Sequence, residues 1–109
     1  MLRPIHWLGS SLDDIRAMPE AARRDIGVEL TLVQAGDLPT DWKSIRSVGV
    51  SVMEIRAHRP GEFRVIYVAK FEDAVYVLHC FQKKTQKTSK KDIDLAVKRY
   101  KDLIKEIAL

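Results

Sequence analysis

Cysteine is all but missing from this chain. Cys80 is the single thiol in 109 residues, so no internal disulfide can form. That usage fits a reducing compartment, and the cytoplasm is the expected location. No CxxC and no paired-histidine spacing offers a structural metal site, so neither a metal nor any other cofactor is expected. No apolar run approaches the ~18 residues that a membrane span needs. The opening Met-Leu-Arg-Pro-Ile-His-Trp-Leu is too short and too polar for a secretory signal, and no membrane partner is expected. The chain also has no internal repeat, no low-complexity linker and no glycine-rich phosphate loop. It has no convincing Ser-His-Asp order and no carboxylate pair. Asp13 and Asp14 are adjacent, but their place at a helix start is explained by the helix dipole. These absences argue against disulfide scaffolds, helical membrane proteins, P-loop nucleotide enzymes and triad hydrolases.

What is present is a core and an uneven charge. A length of 109 residues fits one domain, residues 1–109, and 46% apolar residues suffice to build its interior. The net charge is +4. From Lys83 to Leu109 nine Lys/Arg face four Asp/Glu, giving +5, so residues 1–82 sum to −1. A basic field confined to the last quarter points to an acidic partner, although a solvated lysine-rich helix has the same composition.

Element patterns follow in order. Residues 3–8 form a short opening strand that Pro4 limits to an edge or a strand start. Ser10 or Ser11 caps a helix over 11–18, with Leu12, Ile15 and Met18 on its buried stripe. A second helix over 19–35 buries Ala22, Ile26, Leu30 and Val33, pairs with the first in antiparallel fashion, and ends at Gly36 in a left-handed turn. Asp37 to Ser47 reads as a loop in which Trp42 lids the core. Three strands follow, 48–58, 62–70 and 74–82, with turn chemistry at Arg59-Pro60-Gly61 and Glu72-Asp73. Their short connections imply an antiparallel meander. A closing helix starts near Ser89 and buries Ile93, Val97, Tyr100, Ile104 and Ile107. The expected fold class is α+β: a short N-terminal strand, two helices, a three-stranded meander and a C-terminal helix.

The chemistry concentrates at one end of the meander. Strand alternation puts Glu54, Arg56 and His58 on one face, and Arg64 with Ile66 and Val68 on one face of the next strand. A guanidinium in so apolar a strand needs a carboxylate or a phosphate. An Arg64–Glu54 cross-strand pair that fixes register is one outcome; an arginine held rigidly to meet a phosphate is the other. At the exit of the last strand, one of Lys83 and Lys84 must join the Arg64 face. Arg56, Arg64 and a lysine then surround one phosphate and stabilise the charge of a phosphorane. Lys87, Lys90 and Lys91 extend the positive charge as RNA-binding candidates. No metal is needed when the nucleophile is the RNA's own 2′-hydroxyl. His58, at a hairpin end, is the freer candidate for acid–base work. His79 lies in an apolar strand, on one face with Val77 and Phe81, and reads as a satisfied core histidine. Cys80 reads as a small apolar filler, and Tyr67, Tyr76 and Tyr100 as core residues with polar tips.

Several stretches resemble the RelE/ParE-type toxins of bacterial type II toxin–antitoxin pairs, and within them the HigB-like, phage-derived branch. They are Leu12-Asp13-Asp14, Ile26-Gly27-Val28-Glu29-Leu30, Gln34-Ala35-Gly36, Met53-Glu54-Ile55-Arg56, Phe63-Arg64-Val65-Ile66-Tyr67 and, most specifically, Leu78 to Thr88, with Ala96 to Arg99 fitting in the closing helix. The resemblance implies a ribosome-dependent mRNA endonuclease, neutralised by a small antitoxin of the helix-turn-helix repressor type. It makes Arg56 and Arg64 the sheet arginines and Lys83 or Lys84 the cation at the strand exit. Glu54 stands where RelE-like strands often carry lysine, and no tyrosine follows the basic exit, so the acid and base are left open. A ParE-like relative would instead poison gyrase, and a plain nucleic-acid binder would cut nothing.

Overall fold

The computed structural model describes residues 2–59 and 61–108. Pro60, in the expected Arg59-Pro60-Gly61 turn, lies outside them. The chain runs β1 (Ile5–Trp7), α1 (Ser11–Arg16), α2 (Glu20–Gln34), β2 (Trp42–Ser44), β3 (Val52–His58), β4 (Glu62–Val68), β5 (Val75–Lys83) and α3 (Lys90–Ala108). The five strands form one sheet in the order β1-β5-β4-β3-β2. β3, β4 and β5 are the expected antiparallel meander, and β1 adds to β5 in parallel.

Helices cover both faces of the sheet, which is why β4 is buried at six successive positions from Phe63 to Val68. On one side Ile15, Ala22, Ile26, Leu30 and Val33 of α1 and α2 pack on Ile55, Val65, Tyr67 and Val77. On the other, Ala96 and Leu103 of α3 pack on Val52, Ile66, Val68 and Leu78. Helix ends are set by local chemistry. Gly36 adopts the left-handed φ of 93°, and the Gly36 and Asp37 amides return to the Val33 and Leu32 carbonyls. At the start of α3 the Ser89 hydroxyl accepts from the Asp92 amide at 3.2 Å while donating to its carboxylate.

Four expectations are corrected. The stretch from Asp37 to Ser47 is not all loop: Trp42–Ser44 pairs with β3 as an edge strand, and Trp42 is 38% exposed rather than a lid. Residues 48–51 form the turn into β3, with Ser51 at φ 67°, rather than its first residues. α1 and α2 lie on the sheet, α1 against β5 and α2 against β3, instead of chiefly on each other. In α3 the fully buried positions are Ala96 and Leu103; Ile104 and Ile107 are exposed.

A β-bulge decides what faces α3. Ile66 pairs with His79 but Tyr67 pairs with Val77, which leaves Leu78 as an extra residue in β5. Val77 therefore faces α1 and α2, not the side of His79 as simple alternation implied. His79 Nε2 donates to the Asp92 carboxylate of α3 (2.7 Å), and the ring stacks on Phe81 with centroids 4.9 Å apart. It is a satisfied core histidine. Arg99 of α3 donates to the Leu78 carbonyl (2.9 Å) and to Ser10 Oγ (3.0 Å), joining α3 to β5 and to the start of α1. These bonds hold the middle of α3 against β5 and α1.

Candidate nucleic-acid interface

The end of the β3–β4–β5 meander where β3 turns into β4 carries the charged face. Pairing register places Arg56 opposite Arg64, His58 opposite Glu62, and Glu62 opposite Lys83. Side chains of directly paired residues share a face, so these five project to one side. Lys83, not Lys84, is thus the strand-exit lysine beside Arg64. Lys84 enters the following loop, and the two lysines with Glu62, Arg64, Thr85 and Gln86 line an open groove of about 500 Å³.

Arg64 is the rigid element of this groove. Its side chain is 5% exposed and its Nη1 donates to the Phe63 carbonyl (3.0 Å). Its Nη2 donates to Glu62 Oε1 (3.1 Å), at the groove wall. Glu54, one pleat further in and 3% exposed, lies between the two arginines. Its Oε1 is 3.3 Å from Arg56 Nε and 3.7 Å from Arg64 Nε. The expected Arg64–Glu54 pair is therefore present, but diagonal, since Glu54 stands opposite Ile66. Among the described residues, Glu54 Oε2 and Arg64 Nε have no hydrogen-bond partner, an uncommon condition for buried charged groups. Arg56 is more open, with its side chain 30% exposed, and lines a neighbouring depression with His58 and Asp41.

His58 is not the free ring expected at a hairpin end. Nδ1 meets Glu62 Oε1 at 2.7 Å and Nε2 meets Asp41 of the β2 edge. Hydrogen bonds first to Asp41 and then to Glu62 raise its pKa above the ordinary value, favouring the imidazolium. With both nitrogens engaged it braces Glu62 instead of offering a vacant lone pair. Glu62 shifts the other way: the Arg64 hydrogen bond, then that from His58, holds its carboxyl below the usual range. The groove wall is thus a carboxylate held between the His58 ring and the Arg64 guanidinium.

The remaining cations divide. Lys87 is exposed in the loop, where its carbonyl accepts from the Thr85 hydroxyl. Lys90 is exposed at the start of α3 and pairs with Asp94 at 3.3 Å. Lys91 lies apart from the groove, beside a separate cavity of about 440 Å³ that includes Asp14, Met18 and Cys80. Burial pushes the Cys80 thiol up to about 12, which leaves it protonated and a poor nucleophile. Among the described residues no three His, Cys, Asp or Glu side chains converge as metal ligands. Also among them, no helix is long and apolar enough to cross a membrane.

Glu62 is the residue that sequence reasoning passed over. A glutamate at a strand start looks like ordinary solubilising charge. Its two-residue spacing from Arg64 was the available signal, because i and i+2 share a face.

Residues 13–101 match the phage-derived protein Gp49-like (DUF891) family. The chain belongs to that family. The resemblance to RelE/HigB-like toxins is thereby supported at the level of family, and the fold agrees. The free state of a double arginine-to-alanine mutant of E. coli toxin RelE aligns with a TM-score of 0.68 at 18% identity, over 91% of this chain and 98% of that one. At that identity the likeness shows a shared RelE-like α+β fold. Among curated proteins no significant sequence relative is found.

Proposed function

We propose that this Gp49-like protein is the toxin of a type II toxin–antitoxin pair and acts as a ribosome-dependent, metal-independent mRNA endoribonuclease. The observation that carries this reading is the cross-strand pair Arg56–Arg64 leading into a groove walled by Arg64, Lys83 and Lys84. Sheet pairing fixes the arginines, so little reorganisation is needed when charge develops on a phosphate.

In this reading Arg64 meets the scissile phosphate, and Lys83 and Lys84 stabilise the phosphorane formed by attack of the adjacent 2′-hydroxyl. Arg56 holds the neighbouring backbone. Lys87 and Lys90 guide the strand electrostatically, with Lys91 further out. His58 serves as a fixed cation behind Glu62. The antitoxin, a small repressor of helix-turn-helix type, neutralises the toxin by covering this basic end.

The test is induction of the protein in bacterial cells without an antitoxin, followed by mapping of mRNA 5′ ends. New ends within translated codons, absent when translation is blocked, support the reading. Intact transcripts with accumulating DNA breaks would instead indicate a ParE-like gyrase poison.

A further inference from the structure

The geometry points to Glu62 as the proton acceptor for the attacking 2′-hydroxyl, a role that rests on the endoribonuclease reading. Within the groove, Arg64, Lys83 and Lys84 are cations that donate hydrogen bonds and accept none. Thr85 and Gln86 are neutral and weakly basic. Glu62 is the one carboxylate in the lining, and its side chain is 44% exposed. Glu54 is buried behind Arg64. His58 has Nε2 on Asp41 and Nδ1 on Glu62 itself, 2.7 Å from Oε1 and 3.0 Å from Oε2, so Glu62 is held by these contacts but keeps further lone pairs facing the groove.

Position favours the same residue. Glu62 Oε1 touches the Arg64 guanidinium, and Lys83 stands directly opposite Glu62 across β4 and β5. A phosphate bound by Arg64 therefore lies beside the carboxylate. The nucleophilic 2′-oxygen belongs to the ribose carrying that phosphate, so it is brought to the same place. General bases need this reach before anything else.

The step balances without a co-reactant. The 2′-hydroxyl proton passes to a Glu62 carboxylate oxygen. The 2′-oxygen–phosphorus bond forms and the phosphorus–5′-oxygen bond breaks. The departing 5′-oxygen takes a proton from water in the open groove, and Glu62 returns its proton to solvent. The products are a 2′,3′-cyclic phosphate and a 5′-hydroxyl.

The groups facing Glu62 set how its basicity changes. They are Arg64 on β4, His58 on β3 with Asp41 behind it, and Lys83 and Lys84 on and after β5. In the free protein the hydrogen bonds from Arg64 and then from His58 depress its proton affinity. A bound phosphate competes for Arg64 and brings negative charge close, which raises the proton affinity of Glu62 when substrate arrives.

The experiment compares wild type, Glu62→Gln and Glu62→Asp on ribosomes programmed with a defined mRNA. Single-turnover cleavage is followed across pH, and binding is measured with the same mRNA carrying a 2′-deoxy nucleotide at the cut. Glu62→Gln is expected to slow cleavage by about a hundredfold or more and to abolish the acid limb of the pH profile. Its affinity for the 2′-deoxy mRNA should stay within about threefold, in contrast to a positioning defect, which would weaken binding too. Glu62→Asp should keep the acid limb at reduced rate. Cleavage by Glu62→Gln within threefold of wild type, or an unchanged acid limb, overturns the role of Glu62 and leaves the nuclease reading standing. Absence of cleavage by wild type overturns both.

Discussion

Arg56 and Arg64 stand directly opposite one another on neighbouring antiparallel strands, a like-charge pair where sheets ordinarily place opposite or apolar partners. Glu54 makes the pair tolerable. Its buried carboxylate lies within 3.3 Å of one guanidinium and 3.7 Å of the other. Glu62 adds a second carboxylate at Arg64, 3.1 Å away, so the positive excess that a bound phosphate would offset comes from Lys83 and Lys84.

Removing Glu54 should therefore be costly. Glu54→Ala leaves the like-charged Arg56 and Arg64 facing each other with Glu62 as the remaining carboxylate at Arg64, and a loss of about 3 kcal/mol is expected by urea unfolding. Glu54→Leu combined with Arg64→Met should recover most of that stability while remaining inactive. Recovery of stability without recovery of growth arrest separates the structural part of the pair from the functional one.

Arg64→Ala and Arg64→Lys should each abolish growth arrest. The lost transition-state stabilisation corresponds to about a hundred- to thousandfold in rate. Lysine keeps the charge but not the planar fork that reaches both the Phe63 carbonyl and Glu62. Circular dichroism and thermal unfolding identify variants that remain folded. A folded Arg64→Ala protein as toxic as wild type would contradict the site.

Lys83 and Lys84 should act through charge. Each alanine substitution is expected to reduce the salt dependence of binding to a 2′-deoxy RNA by about one unit of slope on logarithmic axes. Lys91→Ala, beside the other cavity, should change the slope less.

His58 and Glu62 predict opposite linkage. The folded-state pKa of His58 is raised, so its stabilising contribution is complete below its ordinary value of 6.5 and is lost as pH rises through the folded value. The stability difference between wild type and His58→Gln should therefore shrink toward alkaline pH. Glu62 is depressed, so its contribution is present above its ordinary 4.5 and is lost as pH falls through its folded value. NMR titration of the His58 ring should show a midpoint above 6.5 that moves down in Asp41→Asn.

Much of this arrangement is legible in the chain because alternation and helical spacing are strong signals. The meander, the helix stop at Gly36 and the shared face of Arg64 with a strand-exit lysine all follow from them. What escapes does so for physical reasons. Trp42–Ser44 is exposed at every position, so burial writes no pattern there, and its strand exists only by pairing with β3. The extra residue Leu78 shifts the phase of β5 midway, which no fixed period can follow. The constraint on His58 comes from Asp41, 17 residues away, and is invisible to local reasoning.

The most direct test joins purified wild-type protein to ribosomes translating a defined mRNA, with the products resolved chemically. Cleavage within a codon, leaving a 2′,3′-cyclic phosphate and a 5′-hydroxyl, with none from folded Arg64→Ala, is the predicted result. An intact message under those conditions, or equal cutting by both proteins, would contradict the account.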